Sequence, residues 1–216
     1  PMLHDADPKH EHSGRIIILE LTMLIVVCLY VPCNTMNNPH NIEQRKVFDE
    51  ALTSWLRNQR LVSGKQVVVM GDMNVVKDAN YTTKPFDRWH EEALKKTTAN
   101  TLPIEDISFP GCSDNERRRH EIMMKEANLS TCWKPEREQY ISCRGVGMYT
   151  GHGWGIDHIF VSKTLCDRDC IMKCEIVGDW KTGNQFFGSD HTPVFMKLCD
   201  DWPYKIKQVR NKIDQP

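Results

Sequence analysis

A layered α/β domain is the fold class this sequence predicts, and three observations predict it. Strand-like and helix-like segments occur in mixed order along the chain, an arrangement whose apolar faces are buried when helices cover sheets. The runs Met23 to Val31 and Gln66 to Met70 are apolar over successive residues; apolar on both faces, such strands belong inside a sheet. A chain of 216 residues that is 40% hydrophobic and 26% charged has enough apolar side chain for one sizeable core.

The elements follow in order. Residues 1–13 are polar, His-rich and aperiodic, and read as a disordered lead-in. Arg15 to Leu21 reads as a strand, and Met23 to Val31 as a second one that Pro32 stops. A helix is expected from Ile42 to Leu61, with Asn41 as its cap and Gln44 three residues later. Phe48, Ala51, Leu52, Trp55 and Leu56 fall on one face of that helix. The strand Gln66 to Met70 should end at Gly71, and residues 77–110 read as a long polar loop with a helical piece. Ser113 and Glu116 form a capping box that opens a helix to about Asn128. Gly155 to Val161, Ile171 to Val177 and Thr192 to Leu198 complete the strands. The folded domain is thus expected over 14–199, with a charged tail over 200–216.

Composition excludes several functions. Lys and Arg number 28 against 29 Asp and Glu, so a polyanionic partner would have to be met by local basic groups. The most apolar stretch, Met23 to Cys33, falls well short of the roughly 20 residues of a spanning helix, and no membrane is expected. The nine cysteines are odd in number and include no CxxC pair. They read as reduced thiols of an intracellular protein. Cys166, Cys170 and Cys174 recur every fourth residue but lack a nearby fourth ligand.

Polar residues at strand ends carry the chemistry. Asp72 and Asn74 follow an apolar strand and, in extended chain, point the same way. Such a pair can activate a water or hold a hard cation; a plain Gly-Asp-Asn turn is the alternative. Asp190 and His191 offer an oxygen ligand beside a group that titrates near neutrality. Asp157 opens an apolar strand, where a carboxylate needs a partner such as His191. Tyr30 ends the second strand and could donate its hydroxyl to a phosphate.

The ordered set Tyr30-Val31-Pro32, Gly71-Asp72-Met73-Asn74, Gly153-Trp154 with Asp157, and Gly188-Ser189-Asp190-His191 followed by Pro193-Val194 resembles the exonuclease III/AP endonuclease family. That family lies within the endonuclease/exonuclease/phosphatase superfamily, and the resemblance runs from about Gly14 to Leu198. It implies a four-layer α/β sandwich of two mixed β-sheets flanked by helices. It further implies a Mg2+-dependent nuclease, with Mn2+ as a substitute, that cuts double-stranded DNA 5' to abasic sites and trims 3' ends. Asp72 would activate the water, Asn74 orient it, His191 meet the phosphate under the hold of Asp157, and Tyr30 donate to the phosphate. Asp190, Asp72 and Asn74 would serve the metal, and Trp154, Asn34 and Arg117 the substrate. The family's opening Asn-x-Asn and Gln-Glu strand segments have no counterpart here. The chain is therefore expected to be N-terminally truncated, with its opening strands missing, and inactive without the family's metal-binding Glu. Cys33 follows Tyr30-Val31-Pro32 where the family usually has Asn, and Tyr140-Ile141-Ser142-Cys143 stands where it has Tyr-Thr-aromatic-Trp. The alternatives are a related phosphodiesterase (retroelement endonuclease, RNA nuclease or phosphatase) and a catalytically dead fragment that only binds. A monomer is expected, intracellular and, in a eukaryote, nuclear, with no readable targeting segment.

Overall fold

The computed structural model describes residues 14–34, 38–96, 102–133 and 139–203. The lead-in over 1–13 and the tail beyond 203 lie outside the described residues. The elements in the first half are β1 (Ile16–Glu20), β2 (Leu24–Tyr30), α1 (Pro39–Ser63), β3 (Gln66–Asp72), α2 (Phe86–Lys96) and α3 (Asp114–Glu126). They are followed by β4 (Leu129–Thr131), β5 (Cys143–Arg144), β6 (Gly153–Trp154), β7 (Asp157–Ser162), α4 (Lys163–Asp167), β8 (Ile171–Ile176) and β9 (Val194–Leu198).

Five strands form a mixed sheet in the order β1-β2-β3-β7-β4. β2 and β3 are parallel, joined through α1, and the other neighbours are antiparallel. A second layer is built from the pairs β5-β6 and β8-β9. The bridges Cys143↔His191 and Thr82↔Trp154 extend these pairs sideways. The strand period of two divides the core. Val67 and Val69 point to one side and pack with Phe48, Leu52 and Leu56 of α1 and Met123 of α3. Val68 points to the other side and packs, with Ile159 and Val161, against Val194 and Met196 of β9. Trp89 of α2 contacts Trp154 of β6 within a third, aromatic cluster. The result is the expected α/β sandwich, two sheet layers between helices.

Three local readings are corrected. The cap of α1 is Asn38, whose side chain accepts from His40 N, with Pro39 at the first helical positions. Proline is favoured there because its missing N–H has no helical acceptor to lose, so the helix starts three residues before Ile42. Gly71 lies inside β3 and does not end it. Its φ is +130°, and a Cβ there would sit 2.1 Å from the Leu29 carbonyl oxygen; glycine lets β2 and β3 approach while the strand continues to Asp72. The stretch after 77 contains α2 and two short 3-10 turns, Ala79–Tyr81 and Ile104–Asp106. The Ser113–Glu116 capping box is present as read.

Candidate active site

The strand register places Asp72 at the end of β3 directly opposite Asp157 of β7 on one side and Tyr30 of β2 on the other. Asp72 Oδ1 accepts from Asn74 N at 2.8 Å, and Asp72 Oδ2 from Asn74 Nδ2 at 3.2 Å. Asn74 Nδ2 also donates to the Val31 carbonyl at 2.8 Å. These bonds hold Asn74 at a φ of 45°, in the left-handed region that asparagine tolerates better than most residues. Burial and the facing Asp157 carboxylate push the Asp72 carboxyl up to about 6. A carboxyl titrating there can accept a proton near neutral pH.

Asp157 meets His191 as its strand position required. His191 Nδ1 donates to Asp157 Oδ2 at 2.9 Å. The same oxygen accepts from Ser142 Oγ at 2.7 Å, and that hydroxyl also receives Ile156 N and Asp157 N. The hydrogen bond to Asp157, with a second interaction from Cys143, raises His191 to about 11. The imidazolium is therefore the form present at neutral pH.

The loop after Asp72 is pinned on every side. Met73 N donates to the Ile156 carbonyl and Val76 N to that of Gly111. The buried Arg45 guanidinium of α1 donates to the carbonyls of Pro32, Met73 and Asn74 at 2.9–3.0 Å, and its Nε bonds Asp49. His158 Nε2 reaches the Val75 carbonyl at 2.8 Å. One arginine thus ties the chain after β2 to the chain after β3, the two edges where Tyr30 and Asp72 stand. The sequence reading gives no role to Arg45, Ser142 or His158, although Ser142 stands in the segment that departs from the family's pattern. Arg45 looks like any helix-surface arginine until the carbonyls it meets are known.

The chain is similar to known proteins in sequence and in fold. No family model matches the chain. In sequence it is 30% identical over 201 residues to a DNA-(apurinic or apyrimidinic site) endonuclease of Arabidopsis thaliana, spanning 88% of this chain and 52% of that protein. A protein of the same description from Plasmodium falciparum is 26% identical over 214 residues, spanning 89% of this chain and 33% of the relative. An exodeoxyribonuclease of Bacillus subtilis is 29% identical over 193 residues, at 86% and 64% coverage. The chain thus spans between a third and two thirds of the length of these curated relatives. A 3' phosphatase from Neisseria, solved bound to product DNA hairpin, superposes with a TM-score of 0.66 at 18% identity, covering 89% of this chain and 68% of that one. An AP endonuclease from Archaeoglobus fulgidus gives 0.63 at 18% identity, covering 90% and 68%. The fold is that of these nucleases and phosphatases.

The other expected site residues are placed as follows. Tyr30 is half exposed, with the Arg15 guanidinium 4.9 Å from its ring centroid. Asp190 is exposed, beside His191, and its carbonyl accepts from Arg144 N. Asn34 is buried, with Oδ1 unpaired. Trp154 is an interior ring, stacked on Phe109 at 4.5 Å. Arg117 is turned to its own neighbourhood, where it pairs with Asp114, bonds the Cys112 carbonyl and covers the Phe86 ring. Among the described residues, Cys143, Asp190 and His191 form a group whose ligand atoms lie within 4.8 Å of one another and could coordinate a metal ion. No helix among the described residues is long and apolar enough to cross a membrane.

Proposed function

We propose that this chain carries the catalytic centre of a DNA-repair phosphodiesterase of the exonuclease III/AP endonuclease family, which hydrolyses the phosphodiester 5' to abasic sites. The observation that carries the reading is the juxtaposition of the Asp72–Asn74 pair with the Asp157–His191 pair across β3 and β7. The 30% identity to a plant AP endonuclease supports it.

In this reading Asp72 takes the proton of the attacking water, and Asn74 fixes the carboxylate and orients that water. The His191 imidazolium faces the scissile phosphate and offsets the charge that builds on it. Asp157 and Ser142 hold the imidazole in place, as a buried carboxylate does in hydrolase triads. Tyr30, on the open side of the site, donates to a phosphate oxygen. The buried Asn34 and Trp154 back the site from the interior, and Arg117 reaches the DNA backbone by exchanging Asp114 for a phosphate.

A divalent cation suits the residues present. Asp72 and Asp157 face each other directly, a repulsion that a cation relieves, and Asp72, Asn74 and Asp190 offer the oxygen donors that Mg2+ prefers. Mg2+, or Mn2+ in its place, would supply Lewis-acid stabilisation of the phosphoryl oxygens. Among the described residues no glutamate joins a metal-ligand group. A chain extended with the family's Gln-Glu segment would add a glutamate oxygen to that donor set.

The test is Mg2+-dependent cleavage of a duplex with one abasic-site analogue, by this chain, by a chain extended with that segment, and by Asp72→Ala forms of both. Cleavage 5' to the lesion, greatest in the extended chain and lost in Asp72→Ala, is the expected result. Equal cutting of intact duplex would point to a general phosphodiesterase, and no cutting by either chain would remove the repair reading.

A further inference from the structure

We infer that Cys143, Asp190 and His191 form a site for a thiophilic divalent cation of the Zn2+ class, chemically distinct from a Mg2+ site. Two backbone bonds set it up. Arg144 N donates to the Asp190 carbonyl and Thr192 N to the Ser142 carbonyl, both at 2.8 Å. These bonds make Cys143 and His191 directly opposed partners of an antiparallel bridge. Opposed residues share one face, with Cβ atoms about 5 Å apart, so thiol and imidazole converge without movement of either strand. The Asp190 carboxylate enters from the exposed side, and the ligand atoms of all three residues lie within 4.8 Å.

The surroundings fit a cation. Asp157 Oδ2 accepts from His191 Nδ1 at 2.9 Å, which leaves Nε2 as the coordinating nitrogen and reproduces the carboxylate–histidine–metal arrangement of built sites. Cys143 is buried, whereas Asp190 and part of His191 reach solvent, so a cation would have three protein ligands and an open fourth position for water. A sulfur and an imidazole nitrogen select Zn2+ over Mg2+, which takes oxygen ligands. On binding, the Cys143 S–H bond and the His191 Nε2–H bond break and both protons leave to water. The thiolate sulfur and the freed Nε2 lone pair bond the cation while Nδ1–H stays on Asp157.

The functional consequence rests on the proposed nuclease reading. Zn2+ here occupies His191 Nε2 and Asp190, the groups that face phosphate and Mg2+ in that mechanism, and so switches the centre off.

Co2+ titrated into the whole chain is the probe for the site itself. One equivalent should raise a thiolate-to-cobalt charge-transfer band that Zn2+ abolishes and excess Mg2+ leaves in place. Cys143→Ser should remove the band, while Cys174→Ser, in the separate sulfur cluster with Cys132, should keep it. Asp190→Asn, an exposed change that leaves the core intact, should weaken Co2+ binding by about tenfold or more. A band that is missing in the parent chain, survives Cys143→Ser or yields to Mg2+ overturns the site. In the cleavage assay, Zn2+ should inhibit the parent and spare Cys143→Ser; equal inhibition of both overturns the regulatory part. Absence of cleavage in every protein strikes the nuclease reading alone, since the band reports the metal independently.

Discussion

Asp157 faces two groups whose charges respond to it in opposite ways, and that fixes the pH behaviour of the site. Burial first and Asp157 second raise the Asp72 carboxyl to about 6, and the hydrogen bond to Asp157 holds the His191 imidazolium up to about 11. A mechanism that needs Asp72 ionised and His191 protonated should therefore show a rate that rises through pH 6 with no loss just above neutrality. Asp157→Asn should move the rising limb to lower pH and bring a falling limb toward the ordinary histidine range near about 6.5. A pH–rate profile of the two proteins checks both shifts, and limbs that stay in place contradict the assigned pair. Arg45 offers a second test. Its guanidinium is wholly buried between three carbonyls and Asp49, so Arg45→Met strands an acceptor set and a carboxylate. A loss of roughly 3–5 kcal/mol is expected in denaturant unfolding, with cleavage falling further than the unfolded fraction explains. Asp72, Asp157 and His191 were legible in the sequence because a charged group at the end of an apolar strand needs a partner. Arg45 and Ser142 were not, because their partners are backbone carbonyls and a carboxylate brought in from distant segments.

At the scale of elements, the β2–β3 junction is the most sensitive. Gly71 has a positive φ and no room for a Cβ against the Leu29 carbonyl. Gly71→Ala should cost at least about 2 kcal/mol through strain and overpacking, read as a lower denaturant midpoint. An unchanged midpoint would mean that the strands separate freely there. Strand identities were legible wherever apolar runs were continuous, and the capping box of α3 was legible because its two side chains are three residues apart. The start of α1 was misread between two asparagines three residues apart, Asn38 and Asn41. Pro39 held the decisive signal. α2 escaped a precise reading because its buried positions, Trp89 and Ala93, are separated by charged residues that make the segment look like loop.

Across the whole molecule, two properties follow from what is buried and what is not. His158 is depressed to about 4 and His120 is also lowered, both mainly by burial. As pH falls from about 6.5 toward 4, the unfolded chain takes up protons that the native state refuses, and His158 alone removes roughly 3 kcal/mol of stability. Asp72, raised by burial, acts with the opposite sign: its contribution is present below its unfolded value and lost as pH rises through about 6. Acid unfolding should therefore become shallower in His158→Phe and steeper in Asp72→Asn, measured by denaturant midpoints between pH 4 and 7. The second property concerns β1, which among the described residues is an edge strand with Ile17, Ile18 and Leu19 exposed. Apolar edges template association, so Ile18→Lys should reduce concentration-dependent association in sedimentation without lowering the thermal midpoint.

The central claim is that Asp72 performs chemistry at a site that DNA already occupies. It is tested most directly by measuring binding and single-turnover cleavage of one abasic duplex, with Mg2+, in the extended chain and its Asp72→Asn variant. The account predicts retained binding with cleavage reduced by about 10²–10⁴-fold, the contribution of a positioned general base. Cleavage that survives the substitution would contradict it.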